Sequence, residues 1–316
     1  MENQTVTLMQ KAVTPQQSQA VLSMGYERMG GFVVRADSVD WATTAADLVV
    51  AHGLTYPGSP YGQAPQFVDI LRFPSTEQMR FENATGGTDP ATRALTGGPF
   101  VDRPPFTGNG FVAAPGHIVP LYWLAHSRVP AGSELVRVGA DGSSTVLATY
   151  VDVAEGWIVD GPKPAAVGFP MLPMHVGPVA SWRGATYPAD VFDDHVVIAA
   201  AQKPDRRLGF RQTASGRFGR EVPRAELDEL FELYMEARWN GLEMRIVDQV
   251  PAPGGASALR VSYLGHDADL AEGFRLQKME AGVYEAQVPP NALTDVVASQ
   301  LIPRSWTVGA APTEVR

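Results

Sequence analysis

The residues of this sequence with the most evident capacity for chemistry are charged and crowded. Arg206, Arg207, Arg211, Arg217, Arg220 and Arg224 form a basic block, followed at once by the acidic run Glu226, Asp228, Glu229, Glu232 and Glu236. Adjacent blocks of opposite sign either pair with each other or present a two-signed surface to a protein partner. On this reading Arg206, Arg207, Arg211, Arg217, Arg220, Glu226, Glu229 and Glu232 are the candidate binding residues. The plain alternative is a solvated face with local ion pairs, each contributing about 0 to 1 kcal/mol.

Other chemistries have less support. The six histidines never recur at the i, i+4 spacing that puts two imidazoles on one helix face, so no metal site is expected. Asp193-Asp194-His195 reads as a polar turn before Val196, and His266-Asp267-Ala268-Asp269 as a helix N-cap run. There is no G-x-S-x-G elbow, and with no cysteine there is neither a thiol nucleophile nor a disulfide. Thr107-Gly108-Asn109-Gly110-Phe111 carries two glycines of a dinucleotide loop but not the third. No cofactor is expected.

One enzymatic constellation survives. Arg35 on an early strand, the polar Thr107–Phe111 segment entering a middle strand, and Glu134 or Glu155 late in the domain follow one another in order. They resemble ADP-ribosyltransferases, and that resemblance implies an arginine on the anionic part of NAD and a carboxylate on the developing oxocarbenium ion. The central Ser-Thr-Ser and the late Glu-x-Glu of that family are missing here. Arg35, Glu134 and Glu155 are the catalytic candidates of this alternative, as an NAD-directed transferase or glycohydrolase.

The chain has 316 residues, 45% hydrophobic and 19% charged, and a net charge of −9. That is ordinary globular composition with room for two or three domains. An acidic chain lacks the basic footprint that nucleic acid requires. No apolar run is long enough to span a membrane, and the first 24 residues do not read as an export signal, so a cytoplasmic protein is expected.

The expected elements begin with a helix from Thr14 to Met24, a strand over Gly30 to Ala36, and a helix capped by Ser38 and stopped at Gly53. A strand at Phe67 to Phe73 precedes a long Gly, Pro and Thr-rich loop from Asn83 to Asn109. Strands follow at Gly110 to Ala113, Glu134 to Val138 and Val146 to Val151, the last two joined by the turn Ala140-Asp141-Gly142. A Pro- and Gly-rich linker from Asp160 to Ala165 closes this mixed domain.

The last third is an internal duplication. Trp182-Arg183-Gly184, Gly209-Phe210, Gly216-Arg217-Phe218, Val222-Pro223 and Glu226-Leu227 return in order as Trp239-Asn240-Gly241, Gly273-Phe274, Gly282-Val283-Tyr284, Val288-Pro289 and Ala292-Leu293. A period of about 57 residues means stacked copies of one supersecondary unit. Leu227, Leu230, Phe231 and Tyr234, and likewise Leu293, Val296, Val297 and Leu301, fall at helical spacing, so each copy is expected to end in a helix. The expected fold is therefore α+β: a mixed domain at 1–161, then two β-rich, SH3-like modules at 162–235 and 236–316.

Val129–Leu135, Glu155-Gly156-Trp157, Tyr263–Asp267 and Gly282–Pro289 give the chain a further likeness. They resemble stretches of actinobacterial toxin-immunity, or antitoxin-type, proteins, including those that guard against NAD-glycohydrolase toxins of the tuberculosis-necrotizing class. The resemblance implies a cytoplasmic inhibitor that plugs a toxin by surface complementarity, with a protein partner and no nucleic acid or membrane. A non-catalytic scaffold is the remaining alternative.

Overall fold

A computed structural model describes residues 7–62, 64–102, 106, 108–160, 172, 174–251 and 257–307. Strand β1 (Leu8–Val13) runs into helix α1 (Pro15–Met24). Thr14 caps that helix by accepting from the Gln17 N–H while the Gln17 side chain accepts from the Thr14 N–H, and Gly25 ends it at φ 63°. Strand β2 (Arg28–Arg35) and helix α2 (Ala45–Ala51) follow. The second helix is shorter than expected, because Thr44 and Asp47 form its capping box while Ser38 lies in a 3-10 turn at Ala36–Val39.

Strand β3 (Phe67–Pro74) is followed by β4 (Phe81–Asn83), β5 (Gly86–Gly87), helix α3 (Pro90–Thr96) and β6 (Phe100–Val101). The expected structureless loop is thus corrected. Asp89-Pro90-Ala91-Thr92 holds a capping box with proline at the helix start, and the Gly and Thr content around it hides this signal. The chain continues through β7 (Phe111–Ala114), β8 (His117–Pro120), β9 (Tyr122–Arg128), β10 (Ser133–Gly139), β11 (Ser144–Tyr150) and β12 (Trp157–Val159). Eight of these strands form one antiparallel sheet in the order β12-β11-β10-β3-β1-β2-β9-β4. Of the expected linker only Asp160 falls within the described residues.

The second sheet holds the repeats. Copy one comprises β13 (Pro178–Trp182), β14 (Ala185–Val191), β15 (His195–Ala200), β16 (Arg211–Gln212) and β17 (Phe218–Pro223) and leads into β18 (Glu229–Trp239). Copy two comprises β18 itself, β19 (Leu242–Pro251), β20 (Ser257–Tyr263), helix α4 (Ala268–Gly273), β21 (Gln277–Glu280), β22 (Val283–Val288) and β23 (Thr294–Leu301). The strand order is β16-β17-β15-β14-β13-β18 in the first copy and β21-β22-β20-β19-β18 with β23 paired to β18 in the second. The two copies share one topology. Their opening hairpins turn on Arg183-Gly184 and Asn240-Gly241, all four residues at positive φ, which places the tight turn where each tryptophan landmark predicts it.

The expected terminal helices are strands. A 3-10 turn at Arg224–Glu226 or Pro290–Ala292 replaces the helix start, and β18 or β23 takes the place of its body. The helical spacing of Leu230, Phe231 and Tyr234 misleads because β18 buries both faces: Leu230, Phe231, Glu232 and Tyr234 are all buried. β18 also runs through residue 235, serving as the last strand of one copy and the first of the next.

The two sheets share packing. Val283 of the second copy sits in one cluster with Phe32, Phe100, Phe106 and Trp123. Val153 and Ala154 of the first sheet's last turn pack on Val197 and Ala199 of the first copy. The molecule is β-rich α+β, and no helix among the described residues is long and apolar enough to cross a membrane.

Candidate functional site

Where the turn between β11 and β12 meets the first repeat, a cleft of about 520 Å³ opens, and Asp152, Glu155, Arg211, Arg220 and Glu221 line it. One wall is an Asx turn. The Asp152 carboxylate accepts from the Ala154 N–H at 2.7 Å and the Glu155 N–H at 2.8 Å, which turns the chain and presents Glu155 to the opening. The hydroxyls of Thr213 and Ser215 each donate to the Ala154 carbonyl at 2.8 Å and anchor this wall to the repeat. Gly219 allows the approach, since a Cβ there would stand 2.5 Å from the Ala154 methyl.

The opposite wall is basic. Arg211 projects from the short edge strand β16 and is exposed. Arg220 is half-buried and held in place: Nη1 donates to the Leu208 carbonyl at 2.6 Å, and the guanidinium stacks 4.8 Å above the Trp182 ring. Such a cleft offers donors and carboxylates to one bound segment at once.

Not every expected binding residue reaches the surface. Arg206 and Arg207 lie on an exposed 3-10 turn, where Arg207 pairs with Asp205 at 2.8 Å, and Glu226 and Glu229 are exposed too. Arg217 and Glu232 are interior residues and are withdrawn from the binding set. Arg217 meets Glu27 at 2.5 Å and donates to the Val153 carbonyl at 2.8 Å, while Glu232 meets Arg245 at 2.7 Å. Spacing alone could not separate them from their neighbours, because the partners that draw them inside, Glu27 and Arg245, come from other elements.

The NAD constellation is not assembled. In the first sheet Arg35 pairs with Met9, and Met9 with Phe73, whereas Glu134 pairs with Arg72, and Arg72 with Gln10. Arg35 and Glu134 therefore occupy adjacent rows, which face opposite sides of the sheet, and lie three strand spacings or about 14 Å apart. Arg35 is exposed and held by Asp37, with Nε 3.0 Å from Oδ1. Glu155 stands in the cleft, whose walls contain neither Arg35 nor Glu134.

Sequence reasoning missed the buried ionic seam between the sheets. Besides Glu27–Arg217, it contains Arg128–Asp190 at 3.0 Å, Lys11–Glu280 at 2.5 Å, and Glu285 between His126 at 3.0 Å and Arg260 at 3.1 Å. Burial pushes the Glu27 and Asp190 carboxyls up, against the arginines beside them. Burial would do the same to Glu285, but His126, Arg28 and Arg260 together bring it down to about 2. A smaller cavity of about 220 Å³ lies beside Lys11 and Glu280, walled also by His52, Tyr56 and Tyr61. Burial lowers His52 to about 3, and the Gln10 amide at 3.1 Å bonds the neutral ring. No group of ligands suited to a metal ion occurs among the described residues. Asp193-Asp194 is the turn that His195 leaves as the first residue of β15, and Asp267 caps α4.

The sequence model of a family described as Uncharacterised conserved protein UCP033725 matches residues 174–303. That span coincides with the two repeat copies, from just before β13 to just after β23. No curated protein and no solved structure matches the chain.

Proposed function

We propose that this chain is a protein-binding inhibitor, acting in the cytoplasm on a toxin domain, and that it grips its partner at the two-signed cleft. One observation carries the reading. Arg211 and Arg220, with Glu221 beside Arg220 on β17, face Asp152 and Glu155 across an open cleft of about 520 Å³, and the exposed Arg206, Arg207, Glu226 and Glu229 add further charge. A rigidly held arginine stacked on a tryptophan is the kind of anchor that dominates protein interfaces. The mixed signs favour a loop that carries both charges over a polyanion, as does the net charge of −9. We read the two copies as SH3-like modules, a scaffold whose function lies in the site built on it.

The toxin class comes from the resemblance to immunity proteins. The test is calorimetric titration of the chain into a purified NAD-glycohydrolase toxin domain of the tuberculosis-necrotizing class. Saturable one-to-one binding that Arg211→Glu weakens about tenfold or more supports the reading. Equal binding by wild type and variant would remove the cleft from the interface, and no binding would remove the toxin.

A further inference from the structure

The seam between the two sheets holds a second space, which shares no lining residue with the two-signed cleft. It is the cavity of about 220 Å³ lined from the first sheet by β1 and β2 and from the second repeat by β21 and the turn after it. Phe32, Leu54, Tyr56, Tyr61 and Leu121 make its walls apolar and largely aromatic. An apolar pocket with a few convergent polar groups, set where two packed units meet, is the usual form of a small-molecule site. A dry cavity of about 150 Å³ takes up benzene. This one therefore has room for a fused or substituted ring.

Its polar side is a single ion pair. Lys11 Nζ on β1 meets the Glu280 carboxylate on β21 at 2.5 Å, with side chains 5% and 13% exposed. Both strands make a local concession to it. Gly31 sits at φ 83°, and a Cβ there would stand 3.2 Å from Lys11 Nζ and 3.3 Å from Glu280 Cδ. On the other side the β21 register shifts between Lys278 and Glu280, a bulge of the kind that re-aims a side chain. Superposing Gly216 on Gly282 makes Ala214 the counterpart of Glu280, so the hairpin itself does not call for a carboxylate there.

The charges around the cavity are already matched within the protein. Lys278 lies 3.6 Å from both Asp102 and Glu272, and burial keeps His52 neutral. A charged ligand would be buried here without a counter-ion. An uncharged ring is not so penalised, provided that it answers the donor and the acceptor that Lys11 and Glu280 present side by side.

We propose that this cavity binds a free nucleobase by its lactam edge: the ring carbonyl accepts from the Lys11 ammonium, the adjacent ring N–H donates to the Glu280 carboxylate, and the ring lies among the aromatic walls.

Calorimetric titration of the full chain at pH 7 with hypoxanthine and with uracil tests this. At least one of the two binds saturably, one to one. 1-Methylhypoxanthine and 1,3-dimethyluracil, which lack the N–H, bind about tenfold or more weakly than their parents. Inosine also binds about tenfold or more weakly than hypoxanthine, because the cavity has no room for its ribose. The double variant Lys11→Met with Glu280→Leu puts apolar groups in place of the pair, an exchange that spares the fold, and it loses the preference for the base over its methylated form. An unchanged urea midpoint checks that this variant is folded. Tyr56→Leu, at a half-buried position, keeps the pair and weakens binding about fivefold or more by removing one aromatic wall. No binding of either base at millimolar concentration overturns the proposal. So does equal affinity for a base and its methylated form, inosine bound as tightly as hypoxanthine, or a double variant that keeps the wild-type preference.

Discussion

The Glu27 carboxylate and the Arg217 guanidinium meet at 2.5 Å, both buried, one at the entry to β2 and the other just before β17. This pair fastens the first sheet to the first repeat, and it stands beside the turn that forms one wall of the cleft, since Arg217 also donates to the Val153 carbonyl.

Removing one partner leaves the other charge buried and uncompensated. Glu27→Gln and Arg217→Met are each expected to cost about 3–5 kcal/mol, read as a lower urea midpoint. The double variant Glu27→Leu with Arg217→Met should lose clearly less than the sum of the singles, because an apolar pair escapes the desolvation penalty. Additive losses would mean that the two side chains act independently.

Stability should fall in acid, with a defined onset. His52 is lowered to about 3 and His266 to about 4, both by burial, so each is neutral in the folded state at pH 6.5. As pH falls below 6.5 the unfolded chain takes up protons that the folded chain refuses, and stability is lost down to about pH 3 and 4 respectively. Glu285, depressed to about 2, adds a loss that begins only near pH 4.5. Each group contributes up to about 1.4 kcal/mol per pH unit within its window. Urea melts from pH 7 to 4 measure the slope, and His266→Phe should flatten it between pH 6.5 and 4. The aromatic exchange keeps contact with Phe100 and Trp123, on which His266 packs.

The segment between β4 and β7 is held by close backbone contact as well as by the buried rings of Phe100 and Phe106. A Cβ at Gly98 would stand 2.1 Å from the Thr85 carbonyl oxygen. Gly98→Ala is therefore expected to destabilise by about 2 kcal/mol or more, visible in the thermal midpoint. Gly116→Ala meets nothing within 4 Å, so contact cannot be its penalty, although its φ of 76° leaves a smaller backbone cost.

At the start of α1 the prediction is smaller. Thr14→Ala removes the acceptor for the Gln17 N–H and should cost about 1 kcal/mol, measurable by the same denaturation.

What the sequence made legible followed from local chemistry. Thr14, Pro15 and Gly25 mark α1 because capping and left-handed glycine act within a few residues, and Trp182 and Trp239 mark the repeats because their hairpin turns are equally local. The terminal strands of the copies were misread for a reason outside local reach. β18 buries residues on both faces and β23 exposes residues on both, so in neither strand does burial alternate with the period of two that marks a half-buried strand. The site was half legible for the same reason. Arg211 and Arg220 lie at the cleft, but Arg217 points inward to Glu27, a partner from the far end of the chain that no spacing rule reveals.

The most direct test of the account is a titration of this chain into an NAD-consuming toxin domain of the tuberculosis-necrotizing class while NAD is followed. Turnover is expected to fall to zero at one equivalent of chain, with Arg211→Glu needing about tenfold or more higher concentration to suppress it and Arg35→Ala suppressing it as the wild type does. NAD consumption by the chain alone, abolished by Glu155→Ala, would contradict it, as would full toxin turnover in the presence of excess chain.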